Sequence, residues 1–155
     1  MKRHLADEIE FQKLLNTYNI RYFTAEEVFR PFTQHPLGTV PNVSNWVRII
    51  PALLIFDALR EDTGLPIIIK SSYRNHFHNA EIGGAKNSQH LYFTALDGSG
   101  KTIEDTNKIK KRIKQWIAKK DLNIYFKGTK ITPEMCGIGL SYDDIWHIDV
   151  GVLFG

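Results

Sequence analysis

The sequence predicts an α+β domain in which a small, mainly antiparallel sheet is flanked by helices. Segments with helical periodicity come first, short strand candidates cluster toward the end of the chain, and no repeat or linker divides it. Its 155 residues have the size of one ordinary domain, with 43% hydrophobic and 24% charged residues, as in globular proteins. We therefore predict a single domain spanning residues 1–155.

Helical periodicity marks four segments, and local signals indicate where some of them begin or end. Thr24 followed by Glu27 is a capping-box pattern, so a short helix is predicted to begin at Ala25. Pro51 either kinks the next segment or opens its second half, and Gly64 ends it. The predicted helices span residues 5–18, 25–30, 44–62 and 108–120.

The last helical segment, KIKKRIKQWIAKK, carries much of the net charge of +3. Apolar residues recur along it at helical spacing, so we expect an amphipathic helix with its lysines in solvent. No aromatic-basic surface pattern or known reading motif accompanies this charge, and nucleic-acid binding is not expected. The apolar residues are Ile109, Ile113, Trp116 and Ile117.

The strand candidates are short. Residues 66–71 contain three consecutive isoleucines, which predict a strand buried on both faces. Residues 73–89 are rich in Asn, His and Gly and predict a long loop, a feature that is usually functional. Later strands are predicted at residues 122–126, 137–140 and 145–150.

Targeting and disulfide signals are missing from the sequence. The N-terminal residues mix acidic and apolar side chains without a secretory signal, and no apolar stretch approaches the ~20 residues of a membrane span. The single cysteine, Cys136, cannot form an internal disulfide and is expected to be a small buried residue. We expect a protein synthesised in the cytoplasm without a signal peptide.

The segments of the sequence that contain His90, Asp97 and His147 together supply two imidazoles and a carboxylate. This is the ligand count of a catalytic zinc ion that leaves one coordination position for water. A single histidine is more often a hydrogen-bonded structural residue than a ligand. The order of the surrounding motifs is what favours a metal site.

These motifs resemble those of a known family. The segment SSYRNHFHNAEIGGAKNSQHLYFTALD is similar to the D-alanyl-D-alanine carboxypeptidase family of zinc peptidases, which includes phage endolysins. The pattern of that family is Ser-x-His-x-x-Gly-x-Ala-x-Asp, which Ser88, His90, Ala95 and Asp97 match. The segment GIGLSYDDIWHIDVG is similar to the downstream half and contains His147.

The resemblance extends from about Phe23 to Gly151 and implies a fold, a cofactor and a reaction. The implied fold is of the hedgehog/D,D-peptidase type, and the implied cofactor is Zn²⁺, bound by His90, Asp97 and His147. The implied reaction is hydrolysis of peptidoglycan stem peptides by a D,D-carboxypeptidase or an endolysin-type endopeptidase. Such a protein would act at the bacterial cell wall, as a phage-type lysis enzyme or after export, and we predict a monomer. A non-catalytic, zinc-containing wall-binding module of the same fold is the alternative.

The resemblance also implies roles for two residues beside the ligands. Arg74 is expected to hold the oxyanion or a terminal carboxylate of the substrate, although an arginine here also suits a structural salt bridge. Ser88 would position the substrate or cap the turn before His90. Both residues are therefore predicted to lie at the cleft.

Two aspartates compete for the role of general base. Asp144 lies three positions before His147 and can act only if it lies in the loop before the strand begins. Asp149 shares a strand face with His147 and would orient its imidazole or be the base itself. We assign the base to Asp144.

Two features of the sequence depart from the family pattern, and two histidines lie close to Arg74 in the sequence. Phe93 stands where the family has glycine and would place a bulky ring near the substrate, which favours the non-catalytic alternative. Gly98-Ser99-Gly100 predicts a flexible turn directly after Asp97, where a strand is expected. His76 and His78 would line the cleft or, as loop histidines, be exposed or hydrogen-bonded.

Overall fold

The computed structural model describes residues 4–155, and the predicted α+β fold class is confirmed. Helices flank a four-stranded antiparallel sheet. Within residues 4–155, no helix has the length and hydrophobicity needed to cross a membrane. The α-helices are α1 (Leu5–Thr17), α2 (Ala25–Thr33), α3 (Ile50–Thr63), α4 (His76–Glu81) and α5 (Ile103–Lys119).

Local signals set the boundaries of α2 and α3. The Thr24 hydroxyl accepts a hydrogen bond from the Glu27 amide, and the Glu27 carboxylate accepts one from the Thr24 amide, which is a capping box. α2 continues past its predicted end, and its final turn buries Phe32. A 3-10 helix, Val43–Ile49, precedes α3, so Pro51 lies in the first turn of α3 and does not kink one long helix.

The sheet joins strands from distant parts of the chain. In chain order the strands are β1 (Ile68–Ser71), β2 (Ala95–Ser99), β3 (Tyr125–Phe126), β4 (Thr129–Lys130), β5 (Gly137–Gly139) and β6 (Trp146–Asp149). The strands of the sheet lie in the order β1, β2, β6, β5, each antiparallel to its neighbours, and β3 and β4 form a separate hairpin. The prediction that the first strand is buried on both faces is wrong, because β1 is an edge strand in which Ile69 is buried and Ile68 is exposed.

Gly98 lies inside β2, so the prediction of a flexible turn directly after Asp97 is wrong. The strand continues to Ser99, and all five of its residues are buried. A Cβ atom at Gly98 would lie 2.8 Å from the Phe56 ring and 2.9 Å from the Trp146 ring. Glycine is therefore required here by close packing of two aromatic rings against the strand.

Gly98→Ala is expected to lower the free energy of unfolding by about 1–3 kcal/mol, because the added methyl group overpacks this contact. In a chain of this size the melting temperature should fall by about 2–12 °C, measured by thermal denaturation. The control is Lys70→Ala at an exposed position of β1, which should change stability by less than about 0.5 kcal/mol. Equal melting temperatures for the two variants would contradict the packing argument.

Phe93 packs in the core and does not line the cleft. Its ring is fully buried, with its centroid 6.1 Å from that of Phe11 and 6.4 Å from that of Phe32. Its backbone φ of 57° lies in the left-handed region, which glycine adopts freely and other residues adopt at a cost of about 1–2 kcal/mol. Burial of the ring offsets this cost. The expectation that Phe93 crowds the substrate is therefore wrong.

Candidate metal centre

The pairing of β2 with β6 brings two of the candidate ligands together. Asp97 on β2 lies directly opposite His147 on β6 in the antiparallel register. His90 belongs to a short 3-10 helix, Gln89–Tyr92, that leads into β2. Three side chains from two distant parts of the sequence therefore meet on one face of the sheet.

The three side chains form a cluster that can hold a metal ion. The Asp97 carboxylate lies between the imidazoles, with Oδ1 2.8 Å from His147 Nδ1 and Oδ2 3.1 Å from His90 Nε2. One ligand atom from each residue lies within 4.8 Å of the other two. His90 Nε2 is buried and makes no hydrogen bond of acceptable geometry, as expected for a nitrogen whose lone pair is kept for a cation. The donor set therefore fits zinc.

The outer nitrogen of each imidazole is held by the protein. His90 Nδ1 donates to the carbonyl oxygen of Ser72 at 2.7 Å, which leaves Nε2 as the ligand atom. His147 Nε2 lies 2.8 Å from Asp149 Oδ2 and donates to it, which leaves Nδ1 facing Asp97. Such partners orient the rings and make the imidazoles better ligands.

The charges at the cluster favour a cation. Burial raises the pKa of Asp97, but its interactions with His147 and His90 outweigh burial and hold the pKa well below its usual range. Burial lowers the pKa of His147, but hydrogen bonds to Asp149 and Asp97 outweigh it and raise the pKa to about 9. Two carboxylates thus stabilise positive charge at this point, and a bound metal ion would supply that charge in place of the proton.

Arg74 lines the same cavity, whose volume is about 430 Å³. It is 9% exposed, and its side chain forms no salt bridge or hydrogen bond with any residue in the described range 4–155. Burial lowers the pKa of its guanidinium, and Asp97 and Tyr142 act in the opposite direction. A structural salt bridge therefore does not explain Arg74, whereas an anionic or carbonyl group of a ligand would satisfy it.

Ser88 and Asp149 line this cavity, whereas Asp144 does not. The Ser88 hydroxyl accepts a hydrogen bond from the His90 amide at 3.2 Å, so it caps the turn, and Ser88 also lines the cavity. Asp149 lines the cavity and is bonded to His147. Asp144 is exposed and lies in the loop before β6 begins, which is the condition for its predicted role.

The sequence prediction missed several residues of the cavity wall. Tyr142 is the most informative, because it is half exposed and influences the pKa of Arg74 from the loop before β6. Nothing in the spacing of the motifs indicated it, since a loop residue has no periodicity that places its side chain. The missed wall residues are Gly83, Gly84, Ala85, Gln89, Tyr142 and Ile145.

Both candidate histidines of the predicted long loop lie in α4. His76 is exposed, whereas His78 is buried and stacks on His35 with ring centroids 3.8 Å apart. His78 Nδ1 has no hydrogen-bond partner within residues 4–155. Burial, together with His35, Arg74 and His90, lowers the pKa of His78 to about 4. His78 therefore packs neutral beside the site and does not line the cavity.

We expect the melting temperature to fall as the pH is lowered from about 6.5 to about 4, because His78 binds a proton in the unfolded chain but not in the folded one. His78→Gln should reduce this fall, measured by thermal denaturation across the range. His76→Gln, which changes an exposed histidine two residues away, should keep the wild-type pH dependence. Identical profiles for both variants would contradict a depressed pKa at His78.

Cys136 is half-buried, whereas the sequence predicted a buried residue. Burial, with the nearby charges of Asp149 and Glu134, raises the pKa of its thiol to about 12. The thiol is therefore protonated at neutral pH and does not serve as a nucleophile.

Two imidazoles and a carboxylate at the wall of an open cavity form a site that could hold a metal ion. The family model described as peptidase M15 matches residues 21–130, which is most of the chain, so the chain belongs to this family of metal-dependent peptidases. Neither the curated proteins nor the solved structures give a match. The family match includes Arg74, His90 and Asp97 and ends before His147.

Proposed function

We propose that this protein is a zinc metallopeptidase that hydrolyses peptide bonds in peptidoglycan stem peptides. The observation that carries the proposal is the convergence of His90, Asp97 and His147 at the wall of a cavity that also holds Arg74, which forms no ion pair within residues 4–155. Bound zinc supplies a Lewis acid that polarises a carbonyl and makes water nucleophilic near neutral pH. Membership of the peptidase M15 family supports the same reaction class.

The residues around the cluster have separate roles in this proposal. Arg74 holds the carbonyl oxygen or a carboxylate of the substrate, since a buried guanidinium offers several donors in a fixed geometry. Ser88 holds the turn that carries His90 and contacts the substrate at the cavity wall. Asp144 accepts the proton of the attacking water, whereas Asp149 keeps His147 in its ligating orientation.

The alternative of a non-catalytic wall-binding module rested on the crowding expected from Phe93. The Phe93 ring lies in the core, so this reason no longer applies. The two functions still differ in a simple observable, because a binding module retains wall material without releasing fragments. We propose that the protein acts at the bacterial cell wall as a monomer.

The direct test incubates purified protein with peptidoglycan of several wall types, with and without a zinc chelator, and identifies released fragments by mass spectrometry. We expect chelator-sensitive release that is restored by added zinc. Loss of a terminal D-alanine would identify a carboxypeptidase, and internal cleavage of the stem or cross-bridge would identify an endopeptidase. Chelator-insensitive release, or none from any wall type after zinc addition, would refute the proposal.

Arg74→Met is expected to lower kcat/KM by about 10²–10³-fold, because it removes the donors that stabilise developing charge on the substrate. Zinc stoichiometry should remain that of the wild type, since Arg74 is not part of the ligand cluster. Steady-state kinetics and metal analysis on the same sample separate the two effects. Arg48→Met, which changes a half-buried arginine of a different cavity, is the control and should leave kcat/KM unchanged.

A further inference from the structure

The buried face of α5 carries two polar residues one helical turn apart. Thr106 is 1% exposed and Lys110 is 7% exposed, and both lie beside the apolar residues that pack this helix on the core. Burying such groups costs free energy unless each finds a hydrogen-bond partner. The hydrogen-bond partners of Thr106 and Lys110 therefore show which chain segments this face of α5 holds in place.

Each of the two residues bonds a backbone group in a chain segment that carries a candidate metal ligand. Thr106 Oγ1 donates to the carbonyl oxygen of Thr102 at 3.0 Å and accepts from the amide of Gly100, three residues after Asp97, at 2.9 Å. Lys110 Nζ donates to the carbonyl oxygen of Tyr142, five residues before His147. α5 thus contacts both chain segments that carry the ligands of the sheet.

Lys110 differs from its charged neighbours on the same helix. Lys108 pairs with Glu104, and Arg112 pairs with Asp62 and Asp121. Lys110 forms no ion pair with any residue in the described range, and its ammonium group is directed to a backbone carbonyl. A buried lysine bonded in this way acts as a fixed donor to the loop that it contacts.

The loop that Lys110 contacts, residues 141–144, lies at the mouth of the candidate site. Tyr142 lines the cavity and packs its ring against Gly139, and Asp144 is the proposed base. Within the described part of the chain, the bond from Lys110 is the only hydrogen bond that residues 141–144 make. The hydrogen bond from Lys110 therefore ties this loop to a helix from another part of the sequence.

We propose that Lys110 is a positioning residue for the hydrolytic reaction, which holds the loop of residues 141–144 so that Tyr142 keeps its place in the cavity wall and Asp144 its place in the loop before β6. This inference rests on the proposed function for its kinetic part only. The anchoring of the loop is a property of the protein with or without substrate, and it can be measured by amide hydrogen exchange.

The test compares Lys110→Met, which keeps the length and apolar stem but removes the donor, with Lys110→Arg, which restores a donor. Lys114→Met, at an exposed lysine of the same helix, is the matched control. For Lys110→Met we expect kcat to fall about 10–100-fold, zinc affinity to stay within about twofold, and the hydrogen-bonded amides of β5 and β6, which this loop joins, to exchange faster. Lys110→Arg should recover most of the lost kcat, and Lys114→Met should match the wild type.

The outcomes separate this inference from the proposed function. If the wild type releases fragments, wild-type kcat and exchange in Lys110→Met would overturn the inference, and so would a loss of kcat that only follows a loss of zinc. A fall in melting temperature with kcat and exchange unchanged would indicate a purely structural lysine and would also overturn it. If the wild type releases nothing, the proposed function fails, and the exchange rates alone decide whether Lys110 anchors the loop.

Discussion

Asp97→Ala is expected to abolish stoichiometric zinc binding and to lower kcat/KM on peptidoglycan fragments by on the order of 10³-fold or more. The two carboxylate oxygens of Asp97 face His90 and His147, so its removal takes away one candidate ligand and the group that lies between the other two. A metal ion contributes several kcal/mol to catalysis, and each 1.4 kcal/mol corresponds to about tenfold in rate. Metal analysis after dialysis and steady-state kinetics measure the two losses.

The control for this variant is Asp121→Ala, which removes a partly exposed aspartate outside the cavity. It should bind one zinc ion per chain and retain wild-type kinetics. Thermal denaturation of both metal-free variants shows whether the fold persists, so that a loss of zinc is not mistaken for unfolding. Retention of one zinc ion per chain by Asp97→Ala would show that the metal is bound elsewhere.

Asp144→Asn is expected to lower kcat by about 10²–10⁴-fold while zinc binding is retained, because an amide cannot accept the proton of the attacking water. Asp149→Asn should instead lower zinc affinity by about 10–100-fold, because the carboxylate that orients His147 is lost. Kinetics at saturating zinc and zinc titrations with a competing chelator distinguish the two patterns.

The matched control is Asp143→Asn, which changes the exposed aspartate next to Asp144 and should leave both kcat and zinc affinity unchanged. The reverse pattern is equally informative. If Asp149→Asn loses kcat with zinc retained and Asp144→Asn remains active, Asp149 is the base and our assignment of Asp144 is wrong.

Features that depend on neighbouring residues were predictable from the sequence. The capping box at Thr24 formed as predicted, and Gly64 ends α3 in the left-handed conformation, because each depends on backbone groups within a few residues. His90 and Asp97 lie seven residues apart in one motif, so the family resemblance proposed both as candidate ligands from the sequence alone, and the family match spans both positions.

Features that depend on packing between distant segments were not predictable to the same degree. The directions of the Phe93 ring and of the β1 side chains are set by which surfaces the core covers, and local pattern pointed to the wrong environment in both cases. The sequence predicted a turn at Gly98, whereas in the structure the rings of Phe56 and Trp146 pack closely against this residue. Hydrophobic contacts form between residues at any separation in the sequence, so local sequence patterns do not determine which residues pack together.

The sequence by itself determined the fold class, the family and the types of residue available as metal ligands. Only the tertiary structure decided that His147, fifty residues after Asp97, lies opposite it across β2 and β6 with Asp149 behind its imidazole. Only the structure showed that Arg74 is buried without an ion pair among the described residues and that Lys110 bonds the loop before β6. The physical reason is that strand register and loop anchoring are set by hydrogen bonds and packing between segments far apart in the chain.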